Sequence, residues 1–583
     1  MSLVASLLEA RVKSAIAAAF GAEHAGADPA VHRSNFADYQ ADAALRLAKP
    51  LKQKPLDIAR ALHEKLDLSG LVDGPSSVTV TPPGFVNVTL GKQFLAELVT
   101  KLATDARAGV TATTHPETVV IDYSSPNVAK EMHVGNLRST IIGDALARTL
   151  SFLGHRVIRH NHIGDWGTPF GMLIEHLLDI GAETAASELS LGLLNEFYQG
   201  ARKKFDEDPA FAERARKRVV LLQSGDEATL AHWRVLVDAS RRYFATLYAE
   251  LGVLLEDSDV RGESAYNALL PVVARDLEAA GIARRDQGAL CVFLDEFKGK
   301  DGELVPVIVQ KSDGGFGYAA TDLAAFRYRA HDLGGTRLLY VTGAPQAQHF
   351  AMVFATAKKA GWLPERARAE HVAFGSILGK DKKMFKTRSG DSVKLAELVK
   401  EATERARAAV KTKNPNLSDD EIAVVAAQVG VGAVKYADLS SDRIKDYIFD
   451  FDRMLAFEGN TGPYLQYAHA RICSIVRKAA DEGISLGSSP AITLAEEPER
   501  KLAVELLELE TAVNAVALTL SPHKLTTYLY SLATTFTAFY ENCHVLRAED
   551  PAVRASRLWL CHATRHTLAV GLGLLGIAAP ERM

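Results

Sequence analysis

The sequence predicts an α/β fold in which an open, doubly wound parallel sheet occupies the centre of the chain, with a small α+β domain before it and an all-helical domain after it. Three observations carry this reading. Val119, Val120 and Ile121 form a fully apolar run that ends in polar residues and gives way to a helix, the pattern of a strand buried on both faces. Further short apolar runs alternate with helical stretches up to about residue 374, as parallel sheets with crossover helices do. Beyond Leu395 the text is almost wholly helical.

Taken in order, Leu3, Leu7, Val12, Ile16 and Phe20 recur at near-helical spacing and predict an amphipathic opening helix. Val78 and Val80, then Phe85, Val86, Val88 and Leu90, flank Pro82-Pro83-Gly84 and predict a hairpin. This first domain is expected to span 1–112, with a linker over 111–116. The central domain, 113–400, is expected to hold strands at 119–121, 156–158, 305–309, 337–341 and 371–374, and a helix from about 135 to 153. Charged, alanine-rich text over about 175–257 reads as a helical insertion, and the basic run 214–218 as a solvated helix face. A helical connection, 401–458, contains Ser418 and Glu421 at capping-box spacing. The last helical domain is placed at 459–583, with a Gly/Ser/Pro-rich loop at 481–490.

Composition excludes more than it selects. The 583 residues are 48% hydrophobic and 24% charged, far from the signature of disorder. A balance of 67 basic to 71 acidic residues gives a net charge of -4, so any nucleic-acid surface must be local. Cys291, Cys473, Cys543 and Cys561 stand far apart without zinc spacing, which predicts no zinc and a reducing compartment. The first twenty residues lack the apolar core of a signal peptide, and no run approaches ~18 uninterrupted apolar residues. A cytoplasmic protein without a membrane span is expected.

The sharpest chemical signal is Asp122-Tyr123-Ser124-Ser125-Pro126-Asn127-Val128-Ala129-Lys130-Glu131-Met132-His133-Val134-Gly135-Asn136. A helix start offers free N–H groups and partial positive charge, Gly135 allows close backbone approach, and His133 and Asn136 add donors, which suits a triphosphate. Alone, the histidine would read better as a plain helix cap. A second segment, Gly379-Lys380-Asp381-Lys382-Lys383-Met384-Phe385-Lys386-Thr387-Arg388-Ser389-Gly390, carries five basic residues between glycines. Flexible lysines can close over phosphates and stabilise charge that develops on them. Alone, such a segment is more often a solvated turn.

Together these segments resemble the His-x-Gly-His and Lys-Met-Ser-Lys-Ser signatures of class I aminoacyl-tRNA synthetases, and the flank Ser125-Pro126-Asn127-Val128-Ala129-Lys130 resembles the arginine family in particular. Asn136 replaces the usual second histidine, keeping a donor of similar reach. Phe385 and Thr387 replace serines. The resemblance covers nearly the whole chain. It implies a Rossmann-like catalytic domain that activates L-arginine with ATP, releasing pyrophosphate, and passes the arginyl group to the 3′-terminal adenosine of tRNA(Arg). ATP would arrive with Mg²⁺, with no tightly bound cofactor, and the protein would be a monomer.

The same resemblance assigns ATP and catalysis to His133, Asn136, Lys383 and Lys386, with Lys386 favoured over Lys383, and adds Gly135 as an ATP contact. Ser125, Asn127, Gln346 and His133 would hold the amino acid's α-groups. A guanidinium needs carboxylates and a hydroxyl that accept from its planar fork. Tyr318 and Asp322, four apart, share a helical face, and the family pattern makes them the guanidinium site together with Glu263. The plainer alternative pairs Asp322 with Arg327 or Arg329. Asn161-His162-Ile163-Gly164-Asp165-Trp166-Gly167 resembles a family signature at the pocket edge, although Trp166 also fits a core. His160 and His162 lack a third metal ligand.

The resemblance also makes the first domain, with its 35–40 stretch Asn-Phe-Ala-Asp-Tyr-Gln, a tRNA-elbow module and the last an anticodon-binding module. Bases stack on aromatics beside cations. Tyr464, Tyr467, Tyr540, His544 and the terminal Met583, with Arg547 and Arg557, are the candidates there.

Overall fold

The opening amphipathic helix is Leu3–Phe20, burying Val4, Leu8, Val12 and Ile16 along one face. In the computed structural model, which describes residues 3–181, 194–385, 393–484, 486 and 491–583, the chain forms two compact units. The first comprises Met1–Thr111, Phe457–Leu574 and Ala578–Met583. Its antiparallel sheet contains β1 (Val31–Arg33), β2 (Tyr39–Ala41), β3 (Val78–Thr81) and β4 (Phe85–Val88) in the order β1-β2-β4-β3. The predicted hairpin is β3–β4. Val12, Ile16, Leu47, Ile58, Leu62 and Val86 close its core, each burial contributing about 1.5–3 kcal/mol.

The C-terminal helices Gly462–Asp481, Glu497–Leu506, Leu509–Thr519, His523–Asn542 and Pro551–Leu574 belong to that same unit. Asp38 accepts the Leu90 N–H at 2.7 Å and pairs with Arg500, while the Tyr39 hydroxyl donates to Glu508. Half of the 35–40 stretch is thus structural, whereas Phe36 stays exposed.

The second unit, Ala112–Ala456 with Leu575–Ile577, contains the parallel sheet. β5 (Thr118–Asp122) is followed by the helix Val134–Phe152 and β6 (Arg156–His160). A separate antiparallel sheet then comprises β7 (Ala283–Asp286), β8 (Ala289–Val292) and β9 (Val307–Gln310). β10 (Arg337–Tyr340) and β11 (Arg368–His371) return to the parallel sheet, whose order is β11-β10-β5-β6. The order reverses between β5 and β10, which creates a crevice at their carboxyl ends. β12 (Ile377–Leu378) and β13 (Tyr447–Ile448) make a short parallel pair.

Two strand expectations are corrected. The 305–309 run pairs with β8, because a short apolar run says nothing of which sheet receives it. The last strand ends, rather than begins, at His371; Val372 and Phe374 continue beside β10 through single bonds to Tyr340 and Thr342. The basic run is also not wholly solvated, since Arg214 and Arg218 both bind the buried Glu175, at 3.0 and 2.7 Å. Ser418 and Glu421 cap Asp419–Leu439 as predicted. That helix is long and apolar enough to cross a bilayer, but 67% of its most apolar window is buried inside the protein, and it carries the fully buried Lys435 and Asp438.

Candidate active site

The loop leaving β5 has an unusual backbone. Ser124, Ser125 and Ala129 adopt φ of 71, 47 and 58°, a left-handed region that costs a non-glycine residue about 1–3 kcal/mol. Distant side chains hold it. The Ser124 N–H donates to Ser139 Oγ at 2.9 Å, and the Ser124 hydroxyl meets the Tyr248 hydroxyl at 2.7 Å. The N–H groups of Ser125 and Ala129 donate to Asn161 Oδ1 and Ser240 Oγ, at 3.0 and 2.9 Å.

The 161–167 segment runs alongside this loop. Gly164 exchanges backbone bonds with Pro126 and Val128, both 3.0 Å, and a Cβ there would stand 2.3 Å from Asn127 Oδ1. Glycine leaves the Asn127 side chain where it is. Asp165 accepts Ser264 N and Oγ at 2.8 and 2.7 Å, tying the same segment to the stretch that carries Glu263. Trp166 packs against Trp233, rings 5.9 Å apart, and is not on the cavity wall.

Registers place Asp122, Tyr340 and His160 side by side at the strand ends. A single π-helical turn, Tyr328–Asp332, carries the buried Arg329. Its guanidinium lies 2.9 Å from Asp122 Oδ2, 3.1 Å from His160 Nδ1 and 4.8 Å from the Tyr340 ring centre. Burial opposes the Asp122 charge, but Arg329 outweighs it and holds that carboxyl below the usual range. His160 is engaged through both nitrogens, the second meeting Tyr266 at 3.3 Å.

Above this layer opens a cavity of about 600 Å³. The structure brings Ser125, Asn127, Gly135, Asn136, Glu263, Tyr318, Asp322 and Gln346 to its wall. Tyr318 begins the helix Tyr318–Arg327 and remains 79% exposed, so its ring is not spent on packing. Asp322 pairs with neither suggested arginine: Arg327 binds Asp276 at 2.7 Å and Arg329 binds Asp122. Its partner is His349, 2.6 Å away, which the sequence reading missed. That histidine lies three residues past Gln346, a spacing that shares a helix face. The hydrogen bond that His349 donates to Asp322 raises the histidine's pKa. Glu263 is pushed up to about 7, first by burial and then by the Asp165 and Asp322 charges.

His133 caps the helix. Its Nδ1 accepts the Gly135 N–H at 3.0 Å, while Asn136 Oδ1 accepts the His133 N–H at 3.0 Å. Burial, then the Lys130 charge, lowers its pKa, so the ring is neutral at pH 7 with its proton on Nε2. The Nε2–H and the Asn136 amide are therefore the donors left for an anion. Gly135 and Asn136 are on the cavity wall; His133 is not.

The second motif begins as a tight turn. Gly379 N donates to Lys383 O at 2.8 Å, and Phe385 N to Ile377 O at 3.1 Å. Phe385 stacks on Phe449 with ring centres 4.7 Å apart, which explains an apolar residue in place of serine. Lys380 is tied to Asp450 at 3.1 Å, whereas Lys383 is exposed and off the cavity wall. Lys386 lies outside the described residues. The chain then returns to the first motif: Val134 N donates to Val393 O and Leu395 N to Met132 O, both 2.9 Å, and Lys394 binds Glu131 at 2.8 Å.

In the other unit, Tyr464 packs near Tyr530 and Tyr467 near Phe457, ring centres 5.7 and 6.4 Å apart. Arg471 lies 4.5 Å over Tyr540. His544 is exposed and Met583 half-buried. Arg557 is removed from the RNA candidates: it is buried and holds Glu499 at 2.6 Å.

A switch-point cavity walled by a helix start, with a basic turn in the same unit, is the arrangement expected of an α/β enzyme of the class I synthetase kind. Family models match accordingly: the class I (R) tRNA synthetase catalytic domain over 97–451, the DALR anticodon binding domain over 465–583 and the arginyl tRNA synthetase N terminal domain over 6–90. The chain belongs to the arginyl-tRNA synthetase family. It is 52% identical to the arginine–tRNA ligase of Thermobifida fusca, over 99% of both chains, and 50% identical to that of Escherichia coli K12, over the full length of both. Among solved structures, the arginyl-tRNA synthetases of Plasmodium falciparum and Thermus thermophilus each superpose over both whole chains with TM-score 0.84, at 32% and 26% identity.

Proposed function

We infer that the chain is an arginine–tRNA ligase whose arginine pocket is the switch-point cavity. The arginine carboxylate attacks the α-phosphate of Mg-ATP, pyrophosphate leaves, and a ribose hydroxyl of the 3′-terminal adenosine of tRNA(Arg) then displaces AMP. Positioning and charge stabilisation do the work, with no protein nucleophile. The observation that carries the pocket assignment is two carboxylates, Glu263 and Asp322, beside the exposed Tyr318 on one wall. Ser125, Asn127 and Gln346 take the α-groups. Gly135 and Asn136 receive phosphates, His133 and Lys383 act on them from outside the wall, and Lys386 acts on them too. The first domain binds the tRNA elbow, and Tyr464, Tyr467, Tyr540, His544 and Met583 face the anticodon. The four free, buried cysteines suit a reducing cytoplasm, where the protein acts as a monomer.

The test is pyrophosphate exchange with each of the twenty amino acids, with and without total tRNA. Arginine alone should respond, and equal exchange with a second amino acid would remove the assignment.

Glu263 adds a pH signature. An arriving guanidinium favours the ionised carboxylate, so below pH 7 arginine must expel a proton from it. Its affinity should fall about tenfold per pH unit there. Protonation of His349 also opposes a cation and steepens the fall. Titration calorimetry between pH 5.5 and 8 should show the slope, and Glu263→Gln should reduce it by about one decade per unit. A profile shared by parent and variant would exclude Glu263 from contact.

A further inference from the structure

Arg138 sits two residues past Asn136 on the Val134–Phe152 helix but is absent from the cavity wall, its side chain 1% exposed. Its Nε lies 3.0 Å from Asp438 Oδ2, and its Nη1 donates to the Lys445 carbonyl at 3.0 Å. The guanidinium carbon is 5.3 Å from the Tyr447 ring centre and 5.8 Å from that of Phe374. A buried arginine between an acid and a carbonyl is a costly way to fill space that apolar side chains fill well.

The segment it grips is the bed of the basic turn. Gly375 N donates to Arg443 O at 2.9 Å, Tyr447 N to Ser376 O at 3.2 Å and Phe449 N to Leu378 O at 2.8 Å. A Cβ on Gly375 would stand 2.7 Å from the Lys445 carbonyl carbon, so the two backbones run together without slack. Phe449, one residue past β13, carries the ring on which Phe385 of the turn stacks. A continuous chain of contacts therefore leads from the helix start at His133, through Arg138 and Lys445, along β13 and β12, to the turn bearing Lys383.

We propose that Arg138 is a positioning residue for ATP, fixing the helix start and the basic turn at the separation at which both engage one triphosphate. The proposal rests on reading these two segments as the ATP site. A planar fork spans acid and carbonyl from separate nitrogens in fixed geometry, whereas a lysine offers its donors from a single nitrogen. Arg138 touches none of Glu263, Tyr318, Asp322 and Gln346, so its loss should fall on the nucleotide and spare arginine.

The experiment is pyrophosphate exchange by the full chain with saturating tRNA, for Arg138→Gln, Arg138→Lys and Asp438→Asn. Arg138→Gln should lower kcat at least tenfold and raise the KM for ATP at least threefold, with the KM for arginine within twofold. Arg138→Lys should recover part of the loss, and Asp438→Asn, which keeps the Lys445 bond, should lose less than Arg138→Gln. A folded Arg138→Gln protein with parental kcat and ATP KM, or with both KM values raised equally, overturns the proposal. If that variant does not fold, the other two decide by the same split. His133→Ala and Lys383→Ala run in parallel: if both are silent, the ATP-site reading fails and takes the proposal with it. If they are impaired while the Arg138 variants are silent, only the positioning role falls.

Discussion

Asp322→Asn should raise the KM for arginine about a hundredfold, with ATP affinity within twofold of the parent. Losing one partner of a desolvated charge pair costs about 2–5 kcal/mol, and roughly 1.4 kcal/mol is a decade. Geometry sharpens the expectation. His349 bonds Asp322 Oδ2 at 2.6 Å, so in the variant the amide oxygen would satisfy His349 and turn the NH₂ toward the guanidinium, donor against donor. The proposed ATP contacts lie at the helix start and are untouched. Arginine KM from pyrophosphate exchange and ATP affinity from equilibrium binding test it; undiminished aminoacylation would take Asp322 out of the pocket.

Lys386→Ala should lower the activation rate by about 10²–10³, the loss typical when one preorganised donor to developing charge is removed. Charge builds on the β- and γ-phosphates as the bond to the α-phosphorus breaks, so a cation met only then contributes to the transition state rather than to ground-state binding. Neighbouring lysines are poor substitutes. Lys380 is held by Asp450, and Lys383 has its own part on the phosphates. Single-turnover adenylate formation is the measurement, and arginine affinity should stay within twofold. A parental rate would end this role for Lys386.

What could be read from the sequence followed the range of the interactions involved. β5, the Val134–Phe152 helix and the Ser418 cap are set by local periodicity and nearest neighbours, and all three emerged with nearly their observed bounds. The antiparallel β7–β8 hairpin was missed because Ala283–Asp286 is mostly charged. Its signal was the turn Gln287-Gly288, both residues at positive φ. In the site, eight residues at motif or family spacing reached one wall. The Asp122–Arg329 pair and the His349–Asp322 contact join residues 207 and 27 apart in number, 329 less 122 and 349 less 322, and no local pattern announces them. Arg557 was misread for the converse reason: a cation near helical aromatics looks exposed until Glu499 is brought to it.

The left-handed loop from Ser124 to Ala129 bears on how the protein is made. Its anchors Ser240 and Tyr248 lie on the helix Glu227–Leu251, more than a hundred residues downstream. A growing chain that has emerged only through β6 holds the strand, the helix start and the Ser139 bond, but not the Tyr248 and Ser240 bonds that help to offset the unfavourable φ values. Completion of this loop is thus deferred until the insertion has been synthesised and docked. In the finished protein, exchange of the Ala129 amide should follow opening of that helix rather than of the sheet. Hydrogen exchange resolved to single amides would show it, and an Ala129 rate matching those of β5 would contradict it.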